Sequence, residues 1–373
     1  MIFCFFFILF DVSYEDKVIS LFYNKHRMER PLIPLSFIHE NCNVTTFANT
    51  FINYTIFDDN FENPISEHFV NKSIRYTLNN EYVSSIYITD IKMNKTILNK
   101  GKVLVHEEDH IGFYADKGIG LKYKFNDESF SIVHMLYRNK LIDRKVFAFE
   151  PYANFGYLHF GGIPNNTHIR SKYKGYLNIE EDTDNWEGVF KGIIHNNISY
   201  NFSSPFIIHT GHFGFIYSNE LFNLFINEIA KPLINKKECW IVKSNSDGDS
   251  VDCFPNYIEK LGSISFIFNN MKISMPFASL FSESKLDEVE SLIRSFPSKM
   301  KYNRTVLGIM FVKSFNYSLF DYDSNKVSFY SDKYQIEMLH MSHKEHFIYT
   351  CFVIVSLLCL INICILIIIN LKL

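Results

Sequence analysis

The sequence has no surplus of charge of either sign. Across 373 residues, 37 Lys and Arg stand against 40 Asp and Glu, a formal net charge of −3. Without a basic excess there is little to neutralise a phosphate backbone, so nucleic acid is not an expected partner. Proline and glycine are scarce, at 10 and 15, which excludes collagen-like and low-complexity chains. Of the 7 Cys, Cys4, Cys351, Cys359 and Cys364 fall in terminal apolar runs, leaving Cys42, Cys239 and Cys253 for the body. That is neither a dense disulfide scaffold nor a zinc-ligand spacing. No phosphate-cradling glycine loop and no Gly-x-Ser-x-Gly elbow occurs, and no cofactor or metal is expected. What remains is 47% hydrophobic and 21% charged, a globular balance rather than a disordered one. The abundance of Phe and Tyr beside Ile, Asn and Lys reads as A/T-rich codon usage, not as function. The length allows two domains, or two lobes of one.

The ends are apolar. Residues 347–371 (FIYTCFVIVSLLCLINICILIIINL) carry no charge and exceed the roughly 20 residues needed to cross a hydrocarbon core. A single transmembrane helix is expected there, after a juxtamembrane linker over residues 331–346. Residues 1–13 begin MIFCFFFILF and read as a signal peptide or an uncleaved N-terminal hydrophobic segment, with a truncated start left open. The implied body is luminal or extracellular. Asn-x-Ser/Thr acceptors for glycans fit that placement, at Asn43, Asn53, Asn71, Asn94, Asn165, Asn197, Asn201, Asn303 and Asn316. In an oxidising lumen Cys239 and Cys253, which flank the polar turn SNSDGDS, are expected to form a local disulfide.

Between the ends, short β-branched or aromatic runs bounded by Gly, Asn or Asp predict strands, among them Lys102–Val105, Tyr157–Phe160, Ile264–Phe268 and Lys326–Phe329. Helical recurrence of apolar residues predicts helices over Glu128–Ile142, Ser218–Ile234 and Lys285–Phe296. The body is therefore mostly β with a few short helices, and each half runs strands, helix, strands.

Several stretches resemble the pepsin-like aspartic proteases. Val306-Leu307-Gly308, Phe311, Tyr317, Phe320-Asp321-Tyr322-Asp323 and Val327-Ser328-Phe329 follow the pattern that closes that family's second lobe. Tyr157–Ile179 (YLHFGGIPNNTHIRSKYKGYLNI) is similar to its Leu-x-Phe-Gly-Gly-Ile/Val followed by Tyr-x-Gly-x-Leu. Trp186 falls where the family carries a Trp, and Asp116–Leu121 (DKGIGL) looks like its first-lobe Asp-Gly-Ile-Leu-Gly-Leu. The resemblance implies a bilobal acid-protease fold, with an N-terminal lobe over 17–175 and a C-terminal lobe over 176–330. It also implies an extended peptide or protein as the ligand of the interlobe cleft.

The family's chemistry needs an Asp-Thr-Gly turn from each lobe. Two carboxylates held close together share one proton, so that one acts as base toward water and the other as acid toward the peptide carbonyl. Aligned by the resemblance, the second-lobe turn is His209-Thr210-Gly211, with His where Asp is expected. The first-lobe turn is Asn49-Thr50-Phe51, with Asn for Asp and Phe for Gly. The flap tyrosine maps to Tyr76, without the flanking Gly-Thr-Gly, and Ile309 stands where the second lobe has Leu-Gly-Asp. Neither turn offers a carboxylate, so the expectation is a membrane-anchored pseudoprotease. The alternative is an active endopeptidase with a non-standard dyad, in which Asp58 or Asp59 serves. His106-Glu107-Glu108-Asp109-His110 matches His-Glu-x-x-His literally. It follows a strand-like run and has charged middle positions, so it reads as a solvated loop and not as a zinc helix. His340, His343 and His346 read as part of a wetted linker, with a metal or pH site as the alternative.

Overall fold

Apolar–polar alternation sets the architecture. In Ser263–Phe268, Ile264, Phe266 and Phe268 are buried while the residues between them are not. The antiparallel partner Met271–Pro276 buries Met271, Ile273 and Met275, with Phe266 opposite Ile273. Period-two burial of this kind is what a sheet with one covered face demands. The computed structural model describes residues 17–25, 31–37, 42–50, 56–58, 72–78, 82–106, 118–125, 128–152, 155–164, 171–212, 214–244, 248–258, 261–285, 288–291, 293–295 and 304–339.

Three sheets carry the fold. The largest runs Tyr173–Asn178, Lys326–Ser331, Tyr317–Asp321, Val146–Pro151, Phe155–Phe160, Ile19–Lys25, and on through Pro31–Phe37, Tyr82–Met93, Thr96–His106 and Ile56–Asp58. It joins the two halves, since Tyr317–Asp321 lies antiparallel to Val146–Pro151, with Phe320 opposite Phe147. The break expected after residue 175 thus falls inside a strand of this shared sheet. A second sheet of eight strands belongs to the later half, and a third of four strands contains Cys239–Val242, Ser250–Cys253, Phe281–Lys285 and Glu288–Ser291. The expected strands over 102–105, 157–160, 264–268 and 326–329 all lie within observed ones.

The excess of aromatic residues fills the core between the halves. Trp186 is fully buried. Its rings contact Phe147 and Tyr123 from the first half, at 5.8 and 5.0 Å between centroids, and Phe320 and Tyr322 from the end of the chain, at 5.1 and 5.0 Å. Its indole Nε1 donates to the Leu121 carbonyl at 2.7 Å, which removes the cost of burying that polar tip.

Two expected helices form. The first starts at Ile132, where Ser131 Oγ accepts from the His134 N–H, and stops at Arg138. It ends four residues earlier than its apolar pattern suggested, because Lys140 takes a left-handed φ of 57° and turns the chain toward the strand from Val146. The second is capped by Ser218 and runs through Asn219–Leu224, a wide turn over Phe225–Ala230, and Lys231–Asn235. The wide turn sits just before Pro232, which has no N–H to donate one turn back.

The third helix does not form. The described residues of the segment expected as Lys285–Phe296 are extended, within Phe281–Lys285, Glu288–Ser291 and Ile293–Ser295. A helix of about a dozen residues is marginal by itself. Here two strand edges compete for it: Asp252 and Cys253 pair with Glu290 and Val289, and Phe215 to Tyr217 pair in parallel with Ile293 to Ser295. The expected linker 331–346 is also revised at its start. Gln335–Met338 is a strand against Met271–Pro276, and Tyr334 and Ile336 are buried. Among the described residues no helix is long and apolar enough to cross a membrane. The runs 1–13 and 347–371 lie outside the described residues.

Cys239 and Cys253 are directly opposite in their ladder and form a disulfide. Closing a loop of this length contributes about 3 kcal/mol in the chain-entropy picture. Replacing both cysteines by Ala should lower stability by about that amount, read as a shifted urea midpoint in the variant and in the reduced wild type alike.

A buried polar cluster crosses the shared sheet. The Glu150 carboxylate accepts from Tyr152 Oη, from Tyr317 Oη at 2.6 Å and faces His159 Nε2 at 2.8 Å, while His159 Nδ1 lies 2.8 Å from Ser20 Oγ. Burial alone would raise the Glu150 pKa. The hydrogen bonds from His159, Tyr152 and Tyr317 outweigh it and hold the carboxyl below its ordinary value. The same contact pushes the Tyr152 phenol up to about 12. A carboxyl with a depressed folded pKa stabilises the fold above its unfolded value, and the contribution is lost as pH falls through the folded value. Stability should therefore drop below about pH 4.5 more steeply in the wild type than in Glu150→Leu. At neutral pH that variant should lose on the order of 3 kcal/mol through its unpaired donors. Urea unfolding at a series of pH values reads both effects.

Of the glycan acceptors, Asn94, Asn197 and Asn201 are exposed, the first two in turns with positive φ. Asn316 is half-buried, and its amide both donates to and accepts from Asp332. Asn43 lies within the strand Cys42–Asn49. Asn53, Asn71, Asn165 and Asn303 lie outside the described residues.

Candidate functional site

Two strands, one from each half, deliver matching turns to the same place. Cys42–Asn49 ends at Asn49 and Ile198–Ile208 ends just before His209. The next residue in each turn is a fully or almost fully buried threonine, Thr50 and Thr210. Thr50 Oγ1 donates to the Ile208 carbonyl at 2.8 Å and accepts from the Thr210 N–H at 3.0 Å. Thr210 Oγ1 donates to the Ala48 carbonyl at 2.8 Å and accepts from the Thr50 N–H at 3.1 Å. Each hydroxyl thus satisfies one buried donor and one buried acceptor of the opposite turn, and the four bonds map onto themselves when the halves are exchanged. Unpaired, each of those backbone groups would cost about 1–3 kcal/mol.

The surroundings repeat the same pattern. Ile119–Gly120 runs parallel to Ala48-Asn49, and Thr305–Leu307 runs parallel to Phe206–Ile208. In the later half the turn is laced down: the His209 N–H donates to Leu307 O at 3.0 Å, Gly308 N–H to Gly214 O at 2.9 Å, and Ile309 N–H to His212 O at 2.7 Å. Only glycine fits at position 308, since a Cβ there would lie 2.1 Å from Gly214 O and 2.6 Å from His212 O. Ile309 is buried in the helix that follows.

His209 is buried. Its Nδ1 accepts the Gly211 N–H at 3.1 Å, so the neutral ring carries its proton on Nε2. The His212 ring stands 4.5 Å from it, edge to face. Motif matching missed His212, although its place in His-Thr-Gly-His, three residues after His209, was in plain view. Asn49 is placed by its backbone, opposite Gly120 and directly before Thr50, as His209 directly precedes Thr210. Tyr76 lies in the strand Lys72–Leu78, opposite Ser84. Asp58 ends a strand opposite His106. Phe51, Asp59, residues 107–110 and His340, His343 and His346 lie outside the described residues. Glu187, on the strand beside Ile207, is engaged by Arg304 at 2.6 Å. Burial raises its pKa and Arg304 opposes that shift. Among the described residues no cluster of three or more His, Cys, Asp or Glu could hold a metal.

A family model described as eukaryotic aspartyl protease matches residues 62–331. Among solved structures the chain is similar to the aspartic proteinase from Irpex lacteus, at 14% identity and a TM-score of 0.60, covering 84% of this chain and 97% of that one. No curated protein matches. The family match begins after Asn49 and Thr50, so their correspondence to His209 and Thr210 rests on the reciprocal hydrogen bonds and not on the match.

Proposed function

Because the chain belongs to the pepsin-like eukaryotic aspartyl proteases, we propose that it is a membrane-anchored, catalytically inactive member that binds an extended peptide or protein between its lobes. The observation that carries this reading is the reciprocal pairing of Thr50 with Thr210. It pairs the two turns independently of any motif, and supports reading the residue before each threonine, Asn49 and His209, as standing at the positions of the family's two catalytic aspartates. The family's reaction needs two carboxylates there. One takes a proton from water while the other gives one to the carbonyl, and the shared proton keeps both in the required state. An asparagine amide does not titrate, and an imidazole beside it can exchange a proton but cannot reproduce that pair.

The rest of the reading follows from the ends. The uncharged run 347–371 is long enough to cross a bilayer, and the apolar start together with the disulfide and the exposed acceptors Asn94, Asn197 and Asn201 supports a glycosylated body outside the cytosol.

The test is a paired one on purified full-length protein in detergent. A library of extended peptides is screened for binding by fluorescence polarisation, and each bound peptide is then examined by mass spectrometry for cleavage. Peptides that bind and are recovered whole support the reading. Cleavage at a defined bond, abolished by Asp58→Asn or Asp59→Asn, would establish the active-endopeptidase alternative instead.

A further inference from the structure

Ser20, His159 and Glu150 form a hydrogen-bonded relay across three neighbouring strands of the shared sheet. Ser20 Oγ lies 2.8 Å from His159 Nδ1, and His159 Nε2 lies 2.8 Å from Glu150 Oε2. An ionised carboxylate only accepts, so Glu150 fixes the tautomer with the proton on Nε2, and Nδ1 becomes the acceptor of the Ser20 O–H. Tyr152 and Tyr317 donate to the other carboxylate oxygen and hold it in place. Depth is graded along the relay: Glu150 and His159 are 6% and 2% exposed, while Ser20 is half-buried. A buried acid, a buried imidazole and a hydroxyl nearer the surface are the groups, in order, that an activated serine needs. The backbone adds a donor. Gly161 N–H bonds the Val146 carbonyl, so by alternation the His159 backbone also faces Val146–Pro151. Ser20, opposite His159, therefore directs its N–H and carbonyl away from Phe155–Phe160. On that outer side the Ser20 carbonyl accepts from the Asn94 amide at 3.3 Å. Aromatic rings continue the face of the relay. Tyr157 stacks on His159 at 5.9 Å, and the exposed Tyr152 and Phe155, stacked on each other at 4.8 Å, each meet Tyr157 edge-on at 6.3 Å.

We propose that Ser20, His159 and Glu150 are a second active site, which hydrolyses carboxylic esters bearing an aromatic ring. The proposal does not rest on the reading of the interlobe cleft. Ser20 Oγ bonds the ester carbonyl carbon as its proton passes to His159 Nδ1. The Ser20 N–H donates to the oxyanion that forms, as the nucleophile's own amide can. The carbon–oxygen bond to the alcohol then breaks, and the alcohol leaves with the proton from His159. Water repeats the sequence on the acyl-Ser20 ester: its proton goes to His159, its oxygen to the carbonyl carbon, and the acid departs as Ser20 recovers its proton. Ser20 and His159 are the catalytic residues. Glu150 is a positioning residue, which holds the ring and its tautomer. An alkoxide leaves far more readily than an amine anion, so esters suit a relay with one backbone donor for the oxyanion. The Tyr157 ring beside His159, with Phe155 next to it, offers offset stacking to an aryl group on the substrate.

Full-length protein in detergent is treated with a fluorophosphonate, which loses fluoride to an activated serine, and the labelled peptide is identified by mass spectrometry. The label should sit on Ser20. Because the wild-type protein reports the labelled residue directly, the result does not depend on a variant that folds. In parallel, hydrolysis of 4-nitrophenyl benzoate is followed by nitrophenolate release. Turnover should be lost in Ser20→Ala and fall by about a hundredfold in His159→Gln, the range of general-base assistance. Glu150→Gln should lower kcat and leave KM unchanged, a split that simple unfolding of part of the protein would not give, since lost protein lowers kcat for every ester alike. Tyr157→Ala should raise KM for the benzoate but not for 4-nitrophenyl acetate. A label on another residue, or none, overturns the proposal. So does ester turnover that survives Ser20→Ala. Labelling of Ser20 without turnover overturns it too, because the acyl-enzyme then has no route to product.

Discussion

Purified protein should leave denatured casein intact at every pH from about 3 to 7, the range over which a carboxylate dyad is in its working protonation state. A hydroxyl-bearing transition-state inhibitor of the family should bind no better than an ordinary peptide of the same length. Such inhibitors gain affinity by placing a hydroxyl where water sits between two carboxylates that share a proton. An amide and an imidazole can hydrogen-bond a hydroxyl but cannot supply that charge and proton together. The expected loss is large, since transition-state analogues exceed substrates in affinity by roughly a hundredfold or more. Asn49→Asp combined with His209→Asp should restore little. Phe51 would still follow Thr50 where the family has glycine, and a side chain there opposes the tight turn that holds the carboxylate. Adding Phe51→Gly to the pair is the arm in which activity should first appear. Robust cleavage by the unmodified protein, blocked by the inhibitor, would sink the pseudoprotease reading.

Thr50→Val and Thr210→Val should each destabilise the protein by about 2–5 kcal/mol. Valine matches threonine in shape, so packing is retained while the hydroxyl is lost. Without Thr50 Oγ1, the Thr210 N–H and the Ile208 carbonyl lose their partner in a buried site. Without Thr210 Oγ1, the Thr50 N–H and the Ala48 carbonyl do. Serine keeps the oxygen and should cost only about 1 kcal/mol, for the missing methyl. Urea unfolding of the four variants reads the series directly. A valine variant within about 0.5 kcal/mol of wild type, the scatter expected of an inert surface change, would mean that the paired hydroxyls are not what joins the turns. A large cost would identify a structural role for this arrangement that does not depend on catalysis: it joins the turns of the two halves.

Much of this protein could be read from its residues in order. Alternation marks Ile264, Phe266 and Phe268 as the covered face of a strand, because side-chain direction in a strand depends only on position. Ser218 announces a helix start because its oxygen reaches the N–H of Leu221, three residues on. The spacing of Cys239 and Cys253 around a polar turn led to their disulfide, and the motifs from Tyr157 onward led to the family. All of these are local signals, decided within one or two turns of chain. Tertiary structure decided the rest. The segment from Lys285 had a serviceable helical pattern, but a helix of that length is marginal by itself, and the strand edges at Asp252 and Phe215 paired with it instead. Gln335–Met338 reads as linker until Met271–Pro276 provides an edge for it. His159, Glu150 and Tyr317 give no sign in sequence that they share one buried cluster. Thr50 and Thr210 are 160 positions apart, and nothing near either one records the partner. A bond across that distance exists only once both lobes have folded and met, which is why the sequence could propose the residues of the cleft floor and only the fold could join them.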